Sequence, residues 1–310
     1  MITTITLNPA LDKLLSVDEI RVGETNRTRI ISTSAAGKGI DVAKVLRDLD
    51  TEVAATGFLG GEIAPVFVDY MKKRKIQNCM VPIQECTRTN IQLFGKDGKR
   101  TELLEKGPDV TVEECGALLA KTNELAQKSS VVTICGSAPG GVSEDYFREL
   151  MRTARQPGTI LITDTSGALL KAALKEKPHL IKPNRSEMME LMGNADASDD
   201  EMIAFAQQLV KDGVSYILIS MGKDGAMLVC EKGVWHGSAP DVDVKSTLGC
   251  GDTMVASLSL SLEQRLEPDE MLCNAIALSS ANAMTFETAH IIMEDYLSLL
   301  KRCSITKLDI

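Results

Sequence analysis

Short apolar runs separated by amphipathic stretches constrain this 310-residue chain more than any other feature. Val53-Ala54-Ala55-Thr56-Gly57, Val131-Val132-Thr133-Ile134-Cys135, Ile160-Leu161-Ile162-Thr163-Asp164, His179-Leu180-Ile181-Lys182 and Tyr216-Ile217-Leu218-Ile219-Ser220 are each apolar on both faces. That is the pattern of a strand buried in a parallel sheet. Residues 1–7 alternate apolar and polar and read as a further strand, which Asn8-Pro9 stops. Between the runs, residues 111–127, 143–154 and 198–211 carry apolar side chains at helical spacing, with Ser143 and the acidic Asp199-Asp200-Glu201 marking first turns. Strand–helix alternation predicts an α/β fold, a doubly wound and mainly parallel sheet with helices on both faces. From Gly249 to Leu300 the pattern is nearly all helical.

Two regions break the rhythm. Residues 13–34 alternate without a helix, as in Arg27-Thr28-Arg29-Ile30-Ile31-Ser32. Residues 88–105 read as a hairpin whose turn is Gly95-Lys96-Asp97-Gly98. These predict a small discontinuous β-sheet lid (13–34 and 87–106) inserted in an α/β catalytic domain (1–12, 35–86 and 107–310).

Composition narrows the function. A net charge of −9 lacks the basic footprint of a nucleic-acid binder. No stretch approaches the ~18 apolar residues of a spanning helix, and the first strand is not a signal peptide. The eight cysteines form no C-x-x-C and the three histidines stand singly, so no zinc pattern exists. Dispersed cysteines without a secretion signal predict reduced thiols and a cytoplasmic location. With histidine so scarce, a carboxylate or a lysine is the expected proton carrier.

Four motifs carry candidate chemistry. Thr247-Leu248-Gly249-Cys250-Gly251-Asp252-Thr253 is a glycine turn opening into a long helix, an anion site with a carboxylate at its mouth. No lysine follows the glycines, which excludes a Walker A loop, and the third glycine of a dinucleotide fingerprint is missing. Such a turn suits phosphoryl transfer, with Asp252 accepting the acceptor hydroxyl's proton, although an aspartate there also caps a helix. Ala36-Gly37-Lys38-Gly39-Ile40-Asp41 is a second anion cradle, or a tight loop with a solvated lysine. Asp12 follows the first strand, where it binds hydroxyls or caps a turn. Lys182-Pro183-Asn184-Arg185-Ser186-Glu187 reads either as a capping box or as a carboxylate acting on hydrated Mg²⁺. Ser220-Met221-Gly222-Lys223-Asp224-Gly225 is a hairpin turn, or a close backbone approach to a nucleotide.

The ordered set resembles the ribokinase-like carbohydrate kinases of the phosphofructokinase B family, in the branch holding 1-phosphofructokinases and tagatose-6-phosphate kinases. Thr6-Leu7-Asn8-Pro9-Ala10-Leu11-Asp12, Gly37-Lys38-Gly39-Ile40-Asp41-Val42, Thr87-Arg88-Thr89-Asn90, Gly136-Ser137-Ala138-Pro139, Lys182-Pro183-Asn184 with Glu187, and Gly249-Cys250-Gly251-Asp252 occur in the family's order. The resemblance implies Asp252 as catalytic base and Gly249, Cys250 and Gly251 as anion hole. It implies Asp12, Gly37, Lys38, Asp41, Arg88, Asn90 and Ser137 around the sugar phosphate, with Arg27 approaching from the lid across a homodimer. It implies Lys182, Asn184, Ser220, Gly222, Gly225 and Asn282 for ATP, and Asn184 and Glu187 for Mg²⁺ through water.

Three positions depart from the family pattern. Ala36 stands where glycine is usual, Asp41 where asparagine is usual, and Cys250-Gly251-Asp252-Thr253 where Ala-Gly-Asp-Ser is usual. Asp41 sets an anion beside an anionic substrate and calls for Lys38 or Arg88 to offset it. Cys250 lies at a helix N-terminus, where a thiol pKa can fall. The resulting expectation is a kinase converting a ketohexose monophosphate to a bisphosphate, fructose 1-phosphate first and tagatose 6-phosphate second. A catalytically weak sugar-phosphate or nucleotide sensor on the same fold is the reading from another class.

Overall fold

Why each strand is apolar on both faces becomes plain in a computed structural model of the chain, which describes residues 1–96 and 99–309. In chain order the elements are β1 (Ile2–Thr6), β2 (Ala10–Val17), β3 (Thr28–Ala36), α1 (Lys38–Asp48), β4 (Val53–Gly60), α2 (Ala64–Lys73), β5 (Gln77–Asn78), β6 (Val81–Ile83), β7 (Arg88–Gly95) and β8 (Arg100–Leu104). There follow α3 (Val112–Ala126), β9 (Val131–Cys135), α4 (Glu144–Ala154), β10 (Ile160–Asp164), α5 (Gly167–Lys175), β11 (Leu180–Ile181), α6 (Arg185–Met192), α7 (Asp199–Lys211) and β12 (Tyr216–Ser220). The chain closes with β13 (Ala226–Cys230), β14 (Gly233–Ser238), α8 (Cys250–Glu263), α9 (Pro268–Ala283), α10 (Met293–Leu300) and β15 (Ser304–Leu308).

The main sheet runs β15-β14-β13-β12-β11-β10-β9-β1-β4-β5, with β6 added to β4. It is parallel from β12 to β5 and antiparallel through β13, β14 and β15. Successive residues of a strand feed opposite layers. Ile2, Val131 and Leu218 pack with Val45, Leu258 and Ile276 of α1, α8 and α9. Ile5, Val132 and Leu161 pack with Leu118 and Phe147 of α3 and α4. Both faces are therefore covered, as the alternation predicts. Thr111, Ser143 and Ser198 cap α3, α4 and α7 by accepting first-turn N–H groups, so these helices begin where the sequence places them.

The second sheet, β3-β2-β7-β8, is the lid. Its strands overrun the expected bounds: β2 begins at Ala10 and β3 continues to Ala36, so Asp12 sits on a lid strand and not at the rim of the main sheet. The overrun follows from pairing, since Ala10 opposes both Ala36 and Arg88. The turn expected at 95–98 lies partly outside the described residues. β15 follows the helical C-terminal region and has no counterpart among the expected strands. It pairs with β14 and covers that edge. Among the described residues, no helix is long and apolar enough to cross a membrane.

Candidate active site

The site forms at the carboxyl ends of the parallel strands, under the lid. Gly249 enters α8 at φ 75°, a conformation that favours glycine, and a Cβ there would lie 2.5 Å from the Ala289 backbone nitrogen. The turn sets Asp252 in the first turn of α8, where the leading N–H groups lack intrahelical partners. Asp252 is buried, and its Oδ1 has no hydrogen-bond partner, so that oxygen is not engaged in a cap. Burial pushes its carboxyl well above the ordinary range, and the Asp41 charge adds to that against the pull of Lys38 and Lys182.

Behind Asp252 lies a carboxylate that the sequence motifs do not flag. Asp164, the last residue of β10, is 1% exposed, and its two oxygens lie 3.1 Å from Lys38 Nζ and 3.4 Å from Lys182 Nζ. Burial alone would raise its carboxyl, but the Lys182 and Lys38 ammoniums outweigh burial and hold it below the usual range. For Lys38, burial opposes the charge, and Asp164, then Asp252 and Glu187, outweigh it. A Cβ on Gly251 would lie 3.2 Å from Lys182 Nζ, which sets that ammonium beside the α8 N-terminus. Lys38, expected only at the sugar, thus joins the charged cluster beside the α8 N-terminus.

The residues expected around the sugar phosphate lie between the lid's inner face and the α/β layer. A cavity of about 370 Å³ has Asp12, Ser34, Gln92 and Phe94 on the lid and Tyr70 and Phe286 opposite. Asn90 Nδ2 donates to Asp12 Oδ1 at 2.9 Å. Burial pushes Asp12 up to about 6, and the Asn90 hydrogen bond partly offsets it. Arg88 donates to the carbonyls of Asn8 and Glu105, while its buried Nε has no partner. Asn8 Nδ2 donates to the Ser137 hydroxyl at 3.3 Å, linking the two expected phosphate ligands. The sequence marks Asn8 as the stop of β1 and a member of the opening motif, without assigning it a role at the site. Gly37 and Gly39 bring α1 against β1: a Cβ on Gly39 would lie 2.5 Å from Thr6 Oγ1. Asp41 is offset by Lys44, 2.8 Å away on the same helix, and not by Lys38 or Arg88 as expected.

Arg27 is exposed just before β3, beside Thr28, which pairs with Val17 at the far end of β2 from Asp12. Five residues of strand separate Val17 from Asp12, about 17 Å. Arg27 is therefore not brought to the site within one chain.

A larger cavity, about 700 Å³, opens on the other side of Gly251. Asn184, Ser220, Gly222, Cys250 and Gly251 supply its polar and backbone walls, and Val242, Met254 and Ala283 its apolar ones. Gly225 and Asn282 lie off these walls, which corrects their expected placement. A Cβ on Gly225 would lie 1.9 Å from the Gly237 carbonyl oxygen, so that glycine serves hairpin packing between β13 and β14. Asn282 is fully buried and ties loops together: it donates to the Leu248 carbonyl at 2.7 Å and accepts from the His290 N–H. Burial pushes the Cys250 thiol above its ordinary range, which favours a small residue tolerated in the turn over a lowered thiol pKa. Asn184 and Glu187 form the capping box, each side chain accepting the other's backbone N–H. Only Glu187 Oε2 is used there, leaving Oε1 outside the box.

Residues 3–294 match the family model for pfkB family carbohydrate kinases. The chain belongs to the pfkB family of carbohydrate kinases. It is thus a phosphotransferase with an alcohol group as acceptor, and ATP is its co-substrate. A tagatose-6-phosphate kinase of Staphylococcus epidermidis is 30% identical over 308 residues, covering 98% of this chain and 99% of that one. The phosphofructokinase-2 of Escherichia coli in complex with fructose-6-phosphate superposes with a TM-score of 0.90 at 25% identity, covering 97% of this chain and 98% of that one. A Thermotoga maritima structure described as a possible 1-phosphofructokinase gives a TM-score of 0.87 at 25% identity, with 100% of both chains covered.

Proposed function

We propose that this pfkB kinase phosphorylates a ketohexose monophosphate, fructose 1-phosphate in the first place, at a free hydroxyl to give a bisphosphate. The observation that carries the reading is Asp252 on the α8 anion turn, with Lys38 and Lys182 paired to Asp164 beside it. Asp252 accepts the proton of the attacking hydroxyl late in a loose transition state. The α8 N–H groups and the two lysines stabilise charge on the transferring phosphoryl group. Asp12 and Asn90 bind sugar hydroxyls, and Arg88 with Ser137 holds the sugar's own phosphate. The larger cavity takes the nucleotide, with Ser220 and Gly222 along it. Identity to tagatose-6-phosphate kinase over nearly the whole chain favours tagatose 6-phosphate as a second reading.

Mg²⁺ fits this donor set when it arrives with ATP. Among the described residues, no three His, Cys, Asp or Glu side chains form a cage, whereas the remaining oxygen of Glu187 can hold a coordinated water. Asn184 and Glu187 would hold the hydrated ion, which when bound neutralises charge on the phosphates. The lid's outer face exposes Ile30 and Leu103, which supports pairing of two lids in a homodimer. Such pairing is the only route by which Arg27, from a second copy, could approach the phosphate.

The test is ADP release with a panel of sugar phosphates. Turnover of fructose 1-phosphate or tagatose 6-phosphate supports the proposal and separates the two readings. Tight binding of one sugar phosphate without turnover would replace it with the sensor.

A further inference from the structure

The largest wholly buried side chain among the described residues is not apolar: it is Lys44, 1% exposed within α1. Its Nζ lies 2.8 Å from Asp41 Oδ1 and 5.3 Å from the centroid of the Tyr70 ring. A buried ammonium persists only where a partner compensates it. Here burial works against the charge, and Asp41 and Tyr70 outweigh it. The other oxygen of Asp41 accepts the Gly37 N–H at 3.4 Å. Asp41 is therefore strung between the glycine turn and Lys44, which fixes its orientation.

The field of Asp41 reaches both working carboxylates, Asp12 on β2 and Asp252 on α8. A third negative group so close would repel an anionic sugar unless it were balanced. Lys38 is engaged with Asp164, and the contacts of Arg88 run to the Asn8 and Glu105 carbonyls. Tyr70 of α2 and Glu287, in the loop before α10, complete the groups facing the pair. Asp252 additionally meets Lys38, Asp164 and Lys182, and Asp12 meets Arg88. Among the described residues, Lys44 is the cation in ion-pair contact with Asp41.

We propose that Lys44 is a positioning residue: it fixes the Asp41 carboxylate and cancels its charge, so Asp41 offers a hydroxyl acceptor without repelling the sugar's phosphate. This rests on the ketohexose-phosphate reading. Lys44→Met should raise KM for the sugar phosphate by about tenfold or more while KM for ATP stays within about twofold. Lys44→Arg should recover most of the loss. The neutral double variant Asp41→Asn/Lys44→Met should bind sugar phosphate better than Lys44→Met alone, because no carboxylate is stranded. A sugar KM unchanged in folded Lys44→Met, or a double variant no better than the single, overturns the proposal.

If Lys44→Met does not fold, Asp41→Asn carries the test. With the carboxylate gone, the stranded Lys44 charge should move the acid limb of the kcat/KM profile to lower pH, whereas Asp41→Asn/Lys44→Met, neutral like the native pair, should leave it in place; a limb that moves equally in both overturns the proposal. A ¹³C-carboxyl titration of Asp252 reads the same field in substrate-free protein. A wild-type chain that turned over no sugar phosphate would sink the kinase reading, while the direction of that titration would still decide the role of Lys44.

Discussion

The cavity under the lid and the one lined by Gly251 are built by opposite means. The lid side gathers polar side chains that already hold partners: Asp12 with Asn90, Asp41 with Lys44 in a buried ion pair, and Arg88 with backbone carbonyls. The other side is walled mainly by small and apolar residues, among them Gly222, Cys250, Val242, Met254 and Ala283, with Lys223 and Asp241 as its charged members. A site of the first kind discriminates by hydrogen-bond chemistry, because an unmatched buried polar group is costly. One of the second kind discriminates by shape and tolerates substitution. The net charge of −9 is reconciled with anionic substrates locally, since Lys38 and Lys182 converge on Asp164 and Asp41 is paired with Lys44.

This contrast can be broken at several points. The largest effect is expected where the cavities meet: Asp252→Asn should cut kcat on the order of 10²–10⁴-fold and leave ATP binding intact. Near-native turnover there would remove the base. On the lid side, Arg88→Gln should raise KM for the sugar phosphate about 10–100-fold, the value of a charge-assisted hydrogen bond, with KM for ATP nearly unchanged. A parallel rise in both constants would erase the division of labour.

Acidity should also act on one side only. Asp12 titrates at about 6, so sugar KM should climb as pH falls through that value and flatten above it. Asp12→Asn should abolish the climb. The stability sign is opposite. The raised value favours the protonated fold, so this contribution is complete below 3.8 and is lost as pH rises through about 6. The smallest effect is expected from Cys250→Ser, a change within about threefold in KM for ATP. Its half-buried thiol, whose pKa burial raises, should resist mild oxidants, and thiol-labelling kinetics would check this.

The sequence disclosed the site through motifs at strand ends, because glycine turns and N-caps leave local marks. Asp252, Asn184 and Glu187 were legible for that reason. Asp164 was not, because a strand's last aspartate looks like any other until Lys38 and Lys182 converge on it from two separate segments. Lys44 had a local signal, its spacing of three from Asp41 on one helix, but that spacing usually marks a solvated pair. Gly225 and Asn282 sit inside genuine motifs and serve packing, a distinction set by the neighbours Gly237 and Leu248. The alternation carried the main sheet. The lid's true ends and β15 depend on partners distant in the chain, which periodicity does not encode.

The lid's central pairing is parallel, and it joins Asp12 to Asn90 across 78 residues of chain. The helices α1 and α2 and the strands β3, β4, β5 and β6 lie within that interval. Closing so long a loop carries an entropic cost before the pairing returns anything, so the lid should assemble after the core it overlies. The region that recognises sugar would then be the last to organise and the first to loosen. Amide hydrogen exchange in β2 and β7 should accordingly slow when substrate binds, while the central strands stay protected throughout.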